Sequence, residues 1–114
     1  FLFGDRRQAQ LLTVEELAEH AFFHLCDAIE VLNGGCIERE NVLAQEVANH
    51  LKKPQTGGSD AHMPLEVGRF ATIFEKDLES EADMLAEMRA GRFQPGYRVE
   101  PGKYATLSER VVKS

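Results

Sequence analysis

Asp27-Ala-Ile-Glu-Val-Leu-Asn-Gly-Gly35 decides the fold. A short apolar run, interrupted only by Glu30, ends at Asn33-Gly34-Gly35, a turn signal. Such a run reads as a buried strand of a parallel sheet. From about Glu38 to Lys52 the pattern becomes helical, with Leu43, Val47 and Leu51 on one face and Ala44 and Ala48 beside them. Pro54 stops this helix, because the residue before a proline leaves the helical region. A short extended piece follows, from about Gln55 to Ser59. Two strands joined by a helix of that length form a right-handed crossover in nearly all cases. The fold class is therefore α/β.

Working outward, Thr13-Val-Glu-Glu16 reads as a capping box. Val14, Leu17, Ala18, Ala21, Phe22 and Leu25 then predict one helix with a single buried stripe, leaving Phe23 on the opposite face. Beyond the second strand, Glu66 to Phe74 contains another, in which Phe70, Thr72 and Phe74 alternate against Ala71 and Ile73. Ser80 caps a further helix with Asp83 at its third position, and Gly91 stands where a helix ends. The tail from Pro95 to Ser114 is weakly patterned, with a hairpin around Pro101-Gly102.

The chain has 114 residues, enough for one domain or part of one. Its 43% hydrophobic and 28% charged content suits a soluble globular protein. A net charge of −6 argues against nonspecific nucleic-acid binding, which needs clustered Lys and Arg. No apolar run is long enough to span a membrane, and Phe1-Leu-Phe3 followed by Gly4-Asp5-Arg6-Arg7 does not resemble a signal peptide. The apolar start without an initiator Met suggests a piece of something longer. Cys26 and Cys36, without CxxC spacing, fit reduced thiols in a cytoplasmic protein.

The chemistry concentrates in Gln55-Thr-Gly-Gly-Ser-Asp-Ala-His62. In an extended segment Asp60 and His62, two residues apart, would point to the same side and could face one cation. The two glycines let the backbone bend or approach a ligand. Ligands of parallel α/β sheets sit beyond the carboxyl ends of the strands. Asn33 follows the first strand there, and Asp60 and His62 follow the second, so two consecutive strands deliver polar groups to one rim. The plainer readings are a surface turn capped by Asp60, turn chemistry for Asn33, and for Glu30 a strand carboxylate satisfied by a neighbouring Arg or backbone amide.

Asp27 to Gly34, Glu40-Asn41 opening a helix, Gly57-Gly-Ser-Asp-Ala-His62, and Glu66-Val-Gly-Arg69 with Thr72 form an ordered series. In order and spacing it resembles the C-terminal part of the PHP domain, the polymerase and histidinol phosphatase family. The resemblance covers roughly residues 13–93; the whole chain, 1–114, would be a partial domain with a tail over 95–114. It implies the C-terminal portion of a distorted seven-stranded β/α barrel carrying two or three divalent metals, Zn, Mn or Fe, that hydrolyse phosphate esters. Asp60 and His62 then take the places of the family's last two metal ligands, with Glu30, Asn33 and Arg69 as site-lining residues. The family's early His-x-His motif and the Asp, His and Glu ligands after it have no counterpart here. The resemblance thus implies an incomplete phosphoesterase, its substrate a phosphorylated small molecule or nucleotide. It also implies a partner, either the complementary N-terminal half or a second copy, and no membrane. The alternative is a non-catalytic α/β assembly or regulatory module that keeps the scaffold.

Other signals read as structural. His20 and His24, spaced i, i+4, lack the glutamate of zinc proteases and flank the apolar stripe. His50 suits a helix C-terminus. Glu75, Asp77, Glu79, Glu81 and Asp83 lead into a helix start, where negative charge is favourable. Met84 and Met88 read as core filler. Arg69 is the best basic candidate to meet a phosphate, although a surface role is the plainer one.

Overall fold

A computed structural model describes residues 13–107. Its central unit is β1 (Ile29–Asn33), α3 (Glu38–Leu51) and β2 (Gln55–Gly58), with the two strands parallel. The register runs from Ile29↔Gln55 to Asn33↔Gly58, with a bulge between Glu30 and Leu32. α3 ends with Lys52 in the left-handed region, where its N–H reaches the carbonyls of Ala48 and Asn49. This is the crossover expected from the strand–helix–strand pattern.

The core lies between β1 and the helices. Leu17, Ala18, Ile29, Val31, Val47 and Ala48 are buried together, Val31 and Ala48 completely. Leu43, Ala44 and Leu51 pack against them, so the helical stripe read from the sequence is the buried one.

The first helical segment differs from expectation. It divides into α1 (Val14–Ala18) and α2 (Ala21–Leu25), although the Thr13/Glu16 capping box forms as read. His20 adopts an extended conformation, and its Nδ1 accepts from the Phe22 N–H as the N-cap of α2. This break resets the helical phase. Phe23, expected on the far face, packs against the core, while Phe22 and Leu25 are exposed. Side-chain capping outweighs periodicity here because it satisfies an N–H that a helix start otherwise leaves open.

The remaining strands are not part of a parallel sheet. β3 (Phe70–Phe74), β4 (Phe93–Glu100) and β5 (Lys103–Thr106) form an antiparallel sheet in the order β3-β4-β5. Pro101 and Gly102 make the β4–β5 turn, the hairpin read from the tail. The described residues thus form a mixed α/β unit of one parallel pair and one antiparallel sheet. α4 (Glu81–Ala90) precedes β4, with Ser80 Oγ accepting from Asp83 N–H and Gly91 in the left-handed C-cap conformation. Met88 is 37% exposed, so it does not fill a core as its spacing suggested.

One side chain joins the two sheets. Thr72 Oγ1 on β3 accepts from the Gly57 N–H at 3.1 Å and donates to the Gly57 carbonyl at 2.9 Å. A hydroxyl thereby replaces a missing strand neighbour along β2.

Candidate functional site

The carboxyl ends of β1 and β2 meet at a turn organised by Asn33. The Asn33 N–H donates to Asn41 Oδ1, and Asn41 Nδ2 donates back to the Asn33 carbonyl, both at 3.1 Å. The carboxamide of Asn41, on the first turn of α3, therefore acts as a strand partner for the last residue of β1. Asn33's own side chain completes the turn. Its Oδ1 accepts from the Gly35 N–H at 2.8 Å, and its Nδ2 donates to Glu30 Oε2 at 2.7 Å. The Gly34 N–H donates to the Gly58 carbonyl, extending the β1–β2 ladder into the turn.

The glycines here make room for acids. A Cβ at Gly58 would come within 2.5 Å of Glu30 Oε1, and one at Gly35 would overlap Asp60 Oδ2. The Asp60 carboxylate thus hangs over Gly35 beside the Asn33 amide, while that of Glu30 lies against Gly58. Both acids are exposed. The sequence read Gly35 as part of a turn and Gly58 as freedom for the backbone; in the fold they also make space for two carboxylates.

Asp60 itself lies in the left-handed region, at φ 46°. Holding a non-glycine residue there costs about 1–2 kcal/mol, and Asp is among the few residues that visit it readily. The backbone is therefore not extended at Asp60, and the extended-segment geometry expected for Asp60 and His62 is replaced by a turn. Instead, His62 Nδ1 lies 2.8 Å from the Asp60 carbonyl. A carbonyl only accepts, so Nδ1 carries a proton, and Nε2 is the ring nitrogen left to face a ligand. The His62 N–H donates to Glu66 Oε2 at 3.1 Å, tying the ring's backbone to the following 3₁₀ turn, Pro64–Glu66.

The structure gathers Glu30, Asn33 and Asp60 and attaches His62 to Asp60 by a backbone contact. It does not bring Arg69 into that group: the guanidinium lies over the Phe70 ring, 5.4 Å from its centroid. Glu30's partner is an asparagine amide rather than the Arg or backbone amide of the plainer reading. Among the described residues, no three His, Cys, Asp or Glu side chains are placed to hold a metal ion together. Asn41 and Glu66, which position the loop, stood in the motif series without an assigned role. The signal was an Asn early in a helix, where its propensity is poor and a capping or bridging bond is its usual justification.

The histidines set aside behave as boundary residues. His20 caps α2, and His24 and His50 lie exposed in the last turns of α2 and α3. Cys26 and Cys36 are both thiols. No helix of the described residues is long and apolar enough to cross a membrane.

Residues 38–93 match the family model described as PHP-associated. That span contains α3, β2, the Asp60/His62 loop, β3 and α4; Glu30 and Asn33 precede it. No curated protein and no solved structure matches the chain. The match over residues 38–93 is consistent with the C-terminal part of a PHP domain.

Proposed function

We propose that this chain contributes part of a metal-dependent phosphoesterase site, with Asp60 and His62 as ligands to a divalent metal, Zn, Mn or Fe. The observation that carries the reading is the state of His62. Its Nδ1–H is committed to a backbone carbonyl, the arrangement that fixes the tautomer of metal-binding histidines and leaves Nε2 as the donor. The exposed Asp60 carboxylate is the matching oxygen donor. Two donors fit a metal only as part of a larger set, so the remaining ligands come from another segment or chain, the complementary half or a second copy. When bound, the metal would lower the pKa of a coordinated water and polarise a phosphoryl oxygen. Within this chain, Asn33 and Glu30 orient the rim, Asn41 fixes Asn33, and Glu66 holds the loop that carries His62. A phosphorylated small molecule or nucleotide is the substrate class.

The 114-residue chain supplied with Mn²⁺ or Zn²⁺ is expected to hydrolyse an aryl phosphate no faster than a metal blank. In a preparation with the ligand set completed, Asp60→Ala and His62→Ala should lower metal content and turnover together, while His20→Ala and His24→Ala change neither. Metal analysis run beside the kinetics makes the distinction. Retention of metal by both loop variants would overturn the assignment. The alternative of a non-catalytic assembly module draws support from the absence, among the described residues, of a three-ligand group. It would be favoured if the completed preparation bound no metal at this loop.

A further inference from the structure

We propose that Asn33–Gly34 is a latent deamidation site, held shut by the hydrogen bonds of the rim and reactive whenever the rim opens. The inference concerns the turn itself and stands whether or not the neighbouring loop takes a metal. An asparagine before glycine is the pairing in which the next backbone nitrogen most easily reaches the side-chain carbonyl, because glycine has no Cβ in the way. The chain has three asparagines, and only Asn33 has glycine after it; Val42 follows Asn41 and His50 follows Asn49. In the reaction the Gly34 nitrogen attacks Asn33 Cγ, the Cγ–Nδ2 bond breaks, and ammonia leaves with the proton of the Gly34 N–H. Water then opens the succinimide ring on either side, giving aspartate or isoaspartate at position 33. No other reactant takes part.

The turn depends on this pair. A Cβ at Gly34 would overlap the Ser59 carbonyl oxygen, so a larger residue would force the turn apart. The Asn33 side chain serves both the Gly35 N–H and Glu30. The bonds that need the pair also oppose each requirement of its reaction. Attack needs the Gly34 nitrogen to give up its proton, which is held by the Gly58 carbonyl at 3.1 Å. It needs the carboxamide to turn toward that nitrogen, but Oδ1 is tied to the Gly35 N–H at 2.8 Å and Nδ2 to Glu30 Oε2 at 2.7 Å. It needs the intervening peptide plane to rotate, and the Asn33 carbonyl accepts from both Asn41 Nδ2 and the Cys36 N–H. Asn33 and Gly34 are only half-buried, so hydrogen bonding rather than exclusion of water is the protection. Conversion is one-way. A carboxylate at position 33 has no N–H for Glu30 and sets a second negative charge against it.

The test incubates the 114-residue chain at mildly alkaline pH, with peptide mass spectrometry locating the amide-to-acid mass gain and chromatography separating isoaspartate. A synthetic peptide spanning Ile29 to Ile37 gives the unrestrained rate. A reaction that waits for local opening is slowed by the fraction open, so the folded chain should convert Asn33 at least about tenfold more slowly than the peptide. Urea should restore the peptide's rate. Glu30→Ala frees Nδ2 and should speed the reaction severalfold, whereas Glu30→Gln keeps an acceptor and should stay near the wild-type rate. Glu30 is exposed, and retained amide dispersion verifies the fold of both variants. Asn33→Asp, standing for the aged product, should melt below wild type. A folded chain that reacts as fast as the peptide would overturn the proposal, and this comparison needs no variant. So would a folded Glu30→Ala as slow as wild type, a Glu30→Gln as fast as Glu30→Ala, or an Asn33→Asp that melts with wild type.

Discussion

Carboxylates at two places in this molecule are treated in opposite ways. Glu87, on α4, is 3% exposed and meets Arg92 through two hydrogen bonds of 2.7 and 2.8 Å, with Lys76 4.0 Å away. Glu30 and Asp60, at the rim, are exposed and held by an asparagine amide and by the space over two glycines. No Lys or Arg of the described residues pairs with either of them. An acid that has its own arginine is part of the scaffold. An acid that is oriented and left without a counter-charge is available to a cation from outside.

The comparison can be broken most directly at Arg92. Arg92→Met leaves Glu87 buried without its bidentate partner, and removing one member of such a pair costs far more than the pair itself contributes. Arg92 is half exposed, which moderates the loss, but this should still be the largest drop in melting temperature among the variants described here. Asp60→Asn, by contrast, should leave the melt unchanged or raise it slightly. Differential scanning calorimetry of the two side by side decides the matter, and equal melting temperatures would dissolve the distinction.

Next in size is the link between the two sheets. Thr72→Val keeps the shape of the side chain and removes both bonds to Gly57, leaving a half-buried N–H and carbonyl unsatisfied. A loss of about 1–3 kcal/mol is expected from chemical denaturation. If the rim and the antiparallel sheet are one cooperative unit, probes in both will report the same midpoint. Separate midpoints would mean that the two carboxylate environments belong to independently melting parts.

How much of this was legible in the sequence follows from which interactions set each element. The β1–α3–β2 unit was readable because its apolar spacing, its turn residues and Pro54 all agree. The α4 boundaries were readable because Ser80, Asp83 and Gly91 act on their own backbone. The break at His20 was not, since an imidazole serving as an N-cap competes with an apolar stripe that continues across it. The antiparallel pairing of β3 was not either, because partner choice depends on β4, whose Pro95 and Gly96 weaken the strand pattern. At the site, the residues Glu30, Asn33, Asp60 and His62 could be named in advance. Their arrangement could not, because it depends on the left-handed backbone of Asp60 and on the clamp from Asn41, which is eight residues from Asn33 along the chain.

A smaller effect is expected with pH. The hydrogen bonds from Arg92 hold the Glu87 carboxyl below its ordinary value of 4.5, against the opposing influence of burial and with further help from the charges of Arg92 and Lys76. A depressed folded pKa stabilises the fold above the unfolded value, and this contribution disappears as the pH falls through the folded value. The wild-type melting temperature should therefore fall more steeply than that of Arg92→Met as the medium is acidified below 4.5. Parallel slopes would mean that the Glu87–Arg92 pair is formed equally in the unfolded chain.

The smallest expected change in stability is the most informative about the rim. In Glu30→Gln the new side-chain oxygen can still accept from Asn33 Nδ2, so the turn is preserved while one negative charge beside Gly58 is removed. Its stability should stay within about 0.5 kcal/mol of wild type, the usual range for exposed substitutions. If Glu30 only positions Asn33, cation affinity at Asp60 and His62 will be unchanged in Glu30→Gln and reduced in Glu30→Ala. If its charge also helps to hold the cation, Glu30→Gln will itself weaken Zn²⁺ binding, by about tenfold as for groups one step behind a metal ligand. Calorimetric Zn²⁺ titration of both variants, in the preparation with the ligand set completed, separates position from charge. Affinity unchanged in both would remove Glu30 from the site and leave Asp60 as the only rim carboxylate whose lack of a counter-charge has a functional meaning.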